Sequence, residues 1–352
     1  MTAPRAKFGI LDRLEHADEE ESILADVGDV YCYRARSNTD LPDDISELDA
    51  VMVWHELAVT KEILTRLTRC RVVVRAGVGY DSVDLAAASM LGIPVVNVPD
   101  YGTNDVADHT VMLLLSATRR LLRYEAALRE DPARNWAAEV GGRGMRRLTG
   151  RRVGIVGFGR IGTAVAHRLR AFGCDLAFFD PYLPSGVDKS WQVRRNVSLE
   201  ELLDGCDIVS LHVPHTAETD RMINATVLGD ARDGLVLVNT SRGSVVDLDA
   251  VYGSLRQGRL EAFASDVLPV EPPSLDHPLI AAYVAQEAWQ VGRVVLTPHA
   301  AFYSEDCERE LRRKSALAMR DAVEGRPLTN CVNHRDLWAP RAAVAPMMVV
   351  PS

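Results

Sequence analysis

Three polar side chains follow apolar runs that we predict to be strands, and together they could move a proton. Arg242, Glu271 and His299 each come a few residues after such a run. In doubly wound sheets ligands bind where the strands end, so these side chains are expected to converge on one crevice. A histidine exchanges protons near neutral pH, a carboxylate orients its ring and favours the protonated form, and an arginine fork grips a carboxylate or polarises a carbonyl. Each residue alone is also compatible with a structural role, as an ion-pair partner, a solvated loop residue or a cap. The three in this order favour acid–base chemistry.

A glycine-rich segment at residues 153–162 predicts a second kind of site. An apolar strand runs into G-x-G-x-x-G and then into a helix-forming stretch. Gly157 allows the tight turn, Gly159 lets the backbone approach a pyrophosphate, and Gly162 permits close packing of helix on strand. Asp180 ends the next predicted strand, 18 residues after Gly162, where its carboxylate suits ribose hydroxyls and repels a 2′-phosphate. This context predicts binding of NAD rather than NADP, and glycines that merely turn the chain are the alternative.

The elements that must position these residues show a repeated strand–helix rhythm. Apolar runs in the first part lie at 8–11, 30–33, 50–54, 72–75 and 95–98, and in the second part at 152–157, 176–179, 208–213, 235–239, 262–267 and 294–297. Continuous apolar runs between helical patterns are typical of parallel strands covered on both faces. The sequence therefore predicts an α/β protein with two doubly wound parallel-sheet domains.

The boundaries of the two domains follow from the helical patterns. Residues 105–130 hold no Pro or Gly and predict one helix of roughly 39 Å, long enough to connect the domains. The helical pattern at 304–324 follows the last predicted strand and needs a partner. We expect a discontinuous first domain made of 1–101 and 304–337, and a second domain of 102–303. A loosely ordered tail is expected at 338–352.

Composition restricts the function classes. The chain has 352 residues, 47% hydrophobic and 25% charged, which is typical of a globular protein with room for two cores. The formal net charge of −9 gives no general attraction to nucleic acid or anionic lipid. The six cysteines are scattered singly, with no spacing typical of zinc sites, which favours a reducing compartment and no metal. We find no signal-peptide or membrane-span pattern and expect a cytoplasmic protein.

These motifs together resemble the D-isomer-specific 2-hydroxyacid dehydrogenase family, and most of all its branch of C-terminal binding proteins. The resemblance covers nearly the whole chain and is carried by the segments 75–81, 157–162, 180–182, 239–243, 298–305 and 330–333 with Asp266 and Glu271. It implies a flavodoxin-like substrate domain, a Rossmann NAD-binding domain and an active-site cleft between them. It implies that Arg242 is the catalytic arginine, His299 the acid/base and Glu271 its acidic partner.

The resemblance also implies a set of cofactor contacts. Asp266 would hold the nicotinamide carboxamide, and Thr110 would approach the cofactor from the start of the long helix. The remaining implied contacts are Gly157, Phe158, Gly159, Arg160, Ile161, Gly162, Asp180, Val213, Pro214, Thr219, Thr240, Ser241, Arg242 and His299.

Substrate contacts are implied in the first domain. The glycines of the segment 75–79 have no side chains that would cover the backbone N–H groups. The family implies that the N–H groups of Gly77, Val78 and Gly79 donate hydrogen bonds to a substrate carboxylate. Arg75 and His55 match positions that line the cleft in the C-terminal binding protein branch, and a structural role is equally compatible with His55. Phe302, just after His299, is compatible with contact to an apolar substrate side chain and equally with packing.

One segment departs from the family pattern. Glu271 and His299 lie 28 residues apart, more than is typical of this branch, and the excess falls around 281–291. It predicts an extra helical turn, which could border the cleft or a dimer interface.

The expected function is that of an NAD-dependent oxidoreductase that interconverts a 2-oxo acid and the (R)-2-hydroxy acid. An NAD(H)-sensing binding protein and an oxidoreductase acting on phosphite or phosphonates are the alternatives. The family implies that residues 107–148, including the expected loop 141–144, pack across a two-fold axis, so a homodimer is expected; an ordinary solvated surface is the alternative.

Overall fold

The computed structural model describes residues 5–142, 144–337 and 339–344. The expected tail, apart from residues 339–344, therefore lies outside the described residues, and so does Arg143 of the expected loop at 141–144. The strands are β1 (Ala6–Ile10), β2 (Gly28–Cys32), β3 (Ala50–Val53), β4 (Val73–Arg75), β5 (Val95–Asn97), β6 (Arg152–Val156), β7 (Asp175–Phe179), β8 (Arg194–Arg195), β9 (Ile208–Leu211), β10 (Leu235–Asn239), β11 (Leu260–Ser265) and β12 (Val294–Leu296).

The helices alternate with these strands along most of the chain. They are α1 (Asp18–Leu24), α2 (Lys61–Arg66), α3 (Leu85–Met90), α4 (Thr103–Thr118), α5 (Leu121–Glu130), α6 (Pro132–Asn135), α7 (Ala138–Gly142), α8 (Arg160–Ala171), α9 (Val187–Trp191), α10 (Leu199–Gly205), α11 (Ala225–Asp230), α12 (Leu248–Gln257), α13 (Pro278–Val284) and α14 (Glu305–Glu324). No described helix is long and apolar enough to cross a membrane.

The chain divides into two compact units. The first comprises the described residues up to Gly102 and from Ser304 onward, and the second is Thr103–Tyr303. The first unit holds a parallel sheet in the order β2-β1-β3-β4-β5. The second holds a parallel sheet in the order β12-β11-β10-β9-β6-β7-β8. The predicted class of two parallel-sheet α/β domains is therefore confirmed.

Each sheet is buried on both faces, because successive side chains of a strand point to opposite sides. In the first unit Val74 packs with Leu311 and Met319 of α14, while Val73 packs with Ile63 of α2 on the other face. In the second unit the same alternation separates a core under α4 and α8 from a core under α10 and α12. This two-sided burial explains why the strands read as continuous apolar runs.

The predicted single helix over 105–130 is wrong. Two helices, α4 and α5, meet at Arg120, whose backbone is left-handed with φ of 54°. The Arg120 guanidinium is fixed by Glu261 at 3.0 Å and by the carbonyl of Gly141 at 3.4 Å. Contacts distant in sequence therefore override the local helical propensity, which the pattern of residue types alone does not reveal.

Two further local predictions need correction. Gly141 and Gly142 end helix α7 instead of forming a loop, and the turn follows at Gly144, where φ is +80°. In the segment 281–291 only the residues through Val284 are helical, because α13 ends there and turns follow. Trp289 packs edge-on against Tyr252, with ring centroids 6.0 Å apart, which gives this segment a packing role within the second unit.

Candidate active site

His299 and Glu271 form a hydrogen-bonded pair in the second unit. Nδ1 of His299 lies 2.7 Å from Oε2 of Glu271, and both side chains are partly exposed. His299 has a left-handed backbone with φ of 53°, a conformation that a non-glycine residue adopts only when its surroundings hold it. With Nδ1 donating to the carboxylate, Nε2 is the ring atom left to exchange a proton.

Asp266 holds the strained turn that presents His299. Its carboxylate is buried and accepts hydrogen bonds from the N–H groups of Ala300 at 2.8 Å and Ala301 at 2.9 Å, and from the hydroxyl of Thr297 at 2.5 Å. The carbonyl of Asp266 also accepts the N–H of His299 at 2.8 Å. The hydrogen bonds of Asp266 are thus made mainly to the loop 297–301.

Glu271 is kept ionised by its neighbours. Burial alone would raise the pKa of its carboxyl, but hydrogen bonds from His299 and from the N–H of Leu268, with the charges of His299 and Arg242, bring this pKa below its usual value. The Leu268 N–H donates to Oε1 at 2.8 Å, so each carboxylate oxygen has one fixed donor. The ring of His299 is therefore oriented by a charged acceptor.

Arg242 lies on the loop after β10. Asn239 shapes this loop, because its side-chain oxygen accepts the N–H of Ser241 at 3.0 Å and its amide donates to the carbonyl of Arg242 at 3.0 Å. Gly243 allows the next loop to approach, since a Cβ there would lie 1.9 Å from the backbone of Leu268. The loops that carry Arg242 and Glu271 are thereby packed together. Nη1 of Arg242 donates to the carbonyl of Ser241 at 2.7 Å.

The glycine-rich loop fits a dinucleotide. Gly157 has φ of +84°, and a Cβ there would lie 2.5 Å from the carbonyl of His212. A Cβ on Gly162 would lie 2.1 Å from the carbonyl of Gly157, whereas nothing lies within 4 Å of one placed on Gly159. A side chain would therefore not fit at Gly157 or Gly162, whereas the space beside Gly159 is open for a pyrophosphate. Helix α8 begins at Arg160 and its N-cap Gly159 offers no side-chain acceptor, so its first N–H groups, those of Arg160 and Ile161 among them, suit an anion.

Asp180 lies next to this loop. One carboxylate oxygen accepts the N–H of Phe158 at 2.9 Å and the other accepts the N–H of Tyr182 at 3.0 Å. Each oxygen keeps a lone pair that a ribose hydroxyl can use. The hydroxyl of Tyr182 contacts Glu218, which adds a second carboxylate near Asp180.

The other implied cofactor residues lie in three places within the same unit. Val213 packs beside Gly157, and the hydroxyl of Thr219 donates to the carbonyl of Pro214 at 2.6 Å, which closes the loop after β9. Thr110 is fully buried on α4, and its hydroxyl lies 2.7 Å from that of Thr240. Thr110 is therefore engaged inside the unit. Phe302 has its ring 6.4 Å from that of Tyr303, in an edge-on arrangement.

The first unit presents backbone donors after β4. Gly77 has φ of 142°, a backbone conformation that residues with a side chain rarely adopt, and the Arg75 guanidinium occupies the space beside its Cα. The carbonyls of Gly77 and Val78 accept hydrogen bonds from Val98 and Asn97. Among the described residues, the N–H groups of Gly77, Val78 and Gly79 have no acceptor.

Three residues that the sequence reasoning missed support these loops. Asp12 is buried and accepts the N–H groups of Trp54, Glu56 and Leu57 at 2.6, 2.9 and 3.0 Å, which fixes the loop that carries the exposed His55. His109 contacts the hydroxyl of Thr297 at 2.9 Å. His212 follows β9, and burial lowers the pKa of its ring to about 3, so it stays neutral. Asp12 and His212 could have been found from the sequence, because each is a polar residue at the end of a predicted strand. No sequence feature indicated His109.

Comparison with known proteins identifies the family. Residues 111–301 match the family model described as "D-isomer specific 2-hydroxyacid dehydrogenase, NAD binding domain". The match covers more than half of the chain, and the chain belongs to this family. Its second unit is the NAD-binding domain, as the glycine-rich loop indicated.

Individual relatives extend over most of the chain. It is 32% identical over 314 residues to a D-3-phosphoglycerate dehydrogenase of Methanocaldococcus jannaschii, covering 88% of this chain and 56% of that protein. It is 32% identical over 344 residues to C-terminal-binding protein 1 of Caenorhabditis elegans, covering 95% of this chain and 46% of that protein. The chain thus spans about half the length of these curated relatives. The crystal structure of a D-lactate dehydrogenase from Aquifex aeolicus with NAD and lactic acid is similar with a TM-score of 0.79 and 27% identity, covering 97% of this chain and 99% of that one.

Proposed function

We propose that the chain is an NAD-dependent oxidoreductase that interconverts a 2-oxo acid and the corresponding (R)-2-hydroxy acid. The observation that carries the proposal is the pair of His299 and Glu271 at 2.7 Å, beside the loop of Arg242 and in the unit that carries the glycine-rich loop. The lactic acid bound in the Aquifex aeolicus structure and the phosphoglycerate named for the Methanocaldococcus jannaschii enzyme are small 2-hydroxy acids, which supports this substrate class.

In the proposed reduction each residue of the triad has one role. Bound NADH supplies the hydride. Nε2 of His299 gives its proton to the carbonyl oxygen of the 2-oxo acid, and Glu271 stabilises the protonated ring and fixes its orientation. Arg242 polarises the same carbonyl or grips the carboxylate with its planar fork. In the oxidative direction His299 takes the proton back.

The substrate carboxylate is assigned to the N–H groups of Gly77, Val78 and Gly79, because they have no acceptor among the described residues. Arg75 ends β4 and His55 lies on the loop after β3 of the same unit, and both are proposed as further contacts. Asp266 is proposed to hold the nicotinamide carboxamide through the remaining lone pair of its Oδ2 while it fixes the turn of His299. Phe302 is proposed to contact the substrate side chain.

Oxidation of NADH by the purified chain tests the proposal. The substrates are a series of 2-oxo acids from glyoxylate to phenylpyruvate, with phosphonate analogues added, and NADPH serves as the control cofactor. Turnover with one size class of 2-oxo acid supports the dehydrogenase. Phosphite and phosphonates are electron donors, so they are assayed separately by the reduction of NAD⁺. Turnover confined to that assay would replace the proposal with the related oxidoreductase.

A change at Asp180 tests the choice of cofactor. Asp180→Ala is expected to lower the preference for NADH over NADPH at least about tenfold, because the carboxylate that accepts ribose hydroxyls and repels a 2′-phosphate is gone. The ratio of kcat/KM values for the two cofactors measures this. Asp175→Ala, at the other end of β7, is the matched control and should leave the ratio unchanged. An unaltered ratio in Asp180→Ala would show that the carboxylate does not select the cofactor.

A change at Glu271 tests the pairing with His299. Glu271→Gln keeps a hydrogen-bond acceptor but removes the charged acceptor that orients the ring of His299 during proton transfer, so the rate of reduction should fall about tenfold. The measurement is kcat with saturating NADH. Glu200→Gln, an exposed residue of α10 in the same unit, is the control. An unchanged kcat would contradict the role of Glu271.

A second candidate function is an NAD(H)-sensing binding protein. It is favoured by the 32% identity to C-terminal-binding protein 1 over 95% of this chain. A sensor needs no proton donor, so the intact set of His299, Glu271 and Arg242 favours chemistry. Tight NADH binding without turnover on any 2-oxo acid would favour the sensor.

We further propose a homodimer in a reducing, cytoplasmic compartment. Within residues 107–148, the apolar side chains of Leu121 and Trp136 are 58% and 80% exposed, and packing against a second copy would remove both from water. The six cysteines, all within the described residues, form no disulfide. Light scattering of the purified chain measures its oligomeric state.

A further inference from the structure

A tight turn of the second unit presents a cluster of arginines just before β6. The carbonyl of Leu148 accepts the N–H of Arg151 at 2.8 Å, and Gly150 has φ of +79°, which closes the turn. The N–H of Gly150 donates to the carbonyl of Gly173 at 2.8 Å, so the turn is anchored to the loop after α8. Arg146, Arg147 and Arg151 are therefore carried by a fixed backbone.

The positive charge of this cluster exceeds the negative charge near it. Asp207 is the carboxylate at its centre, and its Oδ1 lies 3.1 Å from Arg146 and 3.5 Å from Arg232. Its Oδ2 accepts the N–H of Arg152 at 3.0 Å. One carboxylate thus serves two guanidinium groups and a backbone donor. Arg147 is exposed and makes no ion pair with a described residue.

Arg151 is the arginine of this cluster whose positive charge is least compensated. It is 4% exposed, and its Nε has no hydrogen-bond partner among the described residues. No described carboxylate lies within ion-pair distance of its guanidinium, whose Nη2 reaches only the carbonyl of Asp207 at 3.4 Å. Burial lowers its pKa. A buried cation without a paired anion is costly, and an incoming anion would relieve that cost.

These side chains line a cavity of about 350 Å³, formed by Met145, Arg146, Arg147, Thr149, Gly150 and Arg151. The cavity lies at the start of β6, whereas the glycine-rich loop follows the end of the same strand, about 15 Å further along. It is therefore separate from the place of the cofactor pyrophosphate.

We propose that this cavity is a second anion site, which binds a phosphate group of a small ligand. Guanidinium forks match the oxygens of phosphate in pairs, and the Thr149 hydroxyl can donate a further hydrogen bond. The volume accommodates a phosphomonoester or a pyrophosphate. The ligand is recognised by its phosphate and binds away from the glycine-rich loop, so the inference does not rest on the proposed reaction.

Calorimetric titration of the full chain at low ionic strength tests the site. Inorganic phosphate, pyrophosphate and glycerol phosphate are titrated separately, with NADH present so that the glycine-rich loop is occupied. We expect saturable binding of one anion per chain. Tighter binding of glycerol phosphate identifies an organic phosphate as the ligand, and tighter binding of the inorganic ions identifies a free phosphate.

Two variants locate the site. Arg147→Glu changes an exposed side chain, so the fold is retained, and it should weaken binding at least about tenfold. Arg151→Met removes the buried charge at similar length and should have the same effect. Arg313→Glu, an equal charge change at an exposed position of α14 in the other unit, should bind like the parent. Absence of saturable binding, or equal affinity in the parent and Arg147→Glu, would overturn the proposal whether or not NADH binds.

Discussion

Replacing His299 with asparagine is expected to lower turnover of a 2-oxo acid by about 10²-fold or more, while the affinity for NADH stays unchanged. Asparagine can accept or donate a hydrogen bond but cannot carry the proton that the carbonyl oxygen needs. The strained turn should survive, because it is held by the carbonyl and carboxylate of Asp266, and asparagine tolerates a left-handed backbone.

The measurement for His299→Asn combines steady-state turnover with a fluorescence titration of NADH. His167→Asn is the matched control, since His167 lies on the exposed side of α8 in the same unit. Unchanged turnover in His299→Asn would remove the proposed acid/base. Loss of NADH affinity together with turnover would point instead to a collapsed loop.

Replacing Arg242 with glutamine is expected to lower kcat/KM for the 2-oxo acid by about 10²- to 10³-fold, the scale of losing one charged donor at a developing oxyanion. Arg242→Lys should recover part of this loss, because it restores the charge without the planar fork. The loop itself should persist, since Asn239 and Gly243 shape it through backbone contacts.

The experiment for Arg242 varies the 2-oxo acid at saturating NADH and measures NADH affinity separately. Arg194→Gln, which removes a guanidinium on β8 in the same unit, is the control. A kcat/KM within about twofold of the parent in Arg242→Gln would mean that the carbonyl is polarised by another group.

Much of the fold follows from patterns that act locally. The strand runs, the glycine-rich loop and the helix after Ser304 depend on neighbouring residues, and the structure has an element at each of these places. Local patterns do not predict the break between helices at Arg120. Its guanidinium contacts Glu261, 141 residues away, and its backbone is left-handed within a stretch of good helix formers. The two-residue strand β8 was missed because Arg194 and Arg195 have no apolar pattern.

The same limit applies to the candidate site. The sequence predicts that Arg242, Glu271 and His299 follow strand ends, and it predicts that their side chains lie close together. The backbone conformation of His299 and the hydrogen bonds of Asp266 and Asp12 to distant N–H groups are not, because they depend on which loops become neighbours.

The discontinuous first unit sets an order of events during synthesis. Helix α14 covers one face of the sheet β1–β5, yet it follows Gly102 by about 200 residues. At roughly 5–20 residues per second the ribosome needs some tens of seconds to supply it. During that interval Val74, Met52 and their neighbours are not covered by Leu311 and Met319. The second unit, by contrast, is contiguous, so all residues of its core are synthesised before the first unit receives α14.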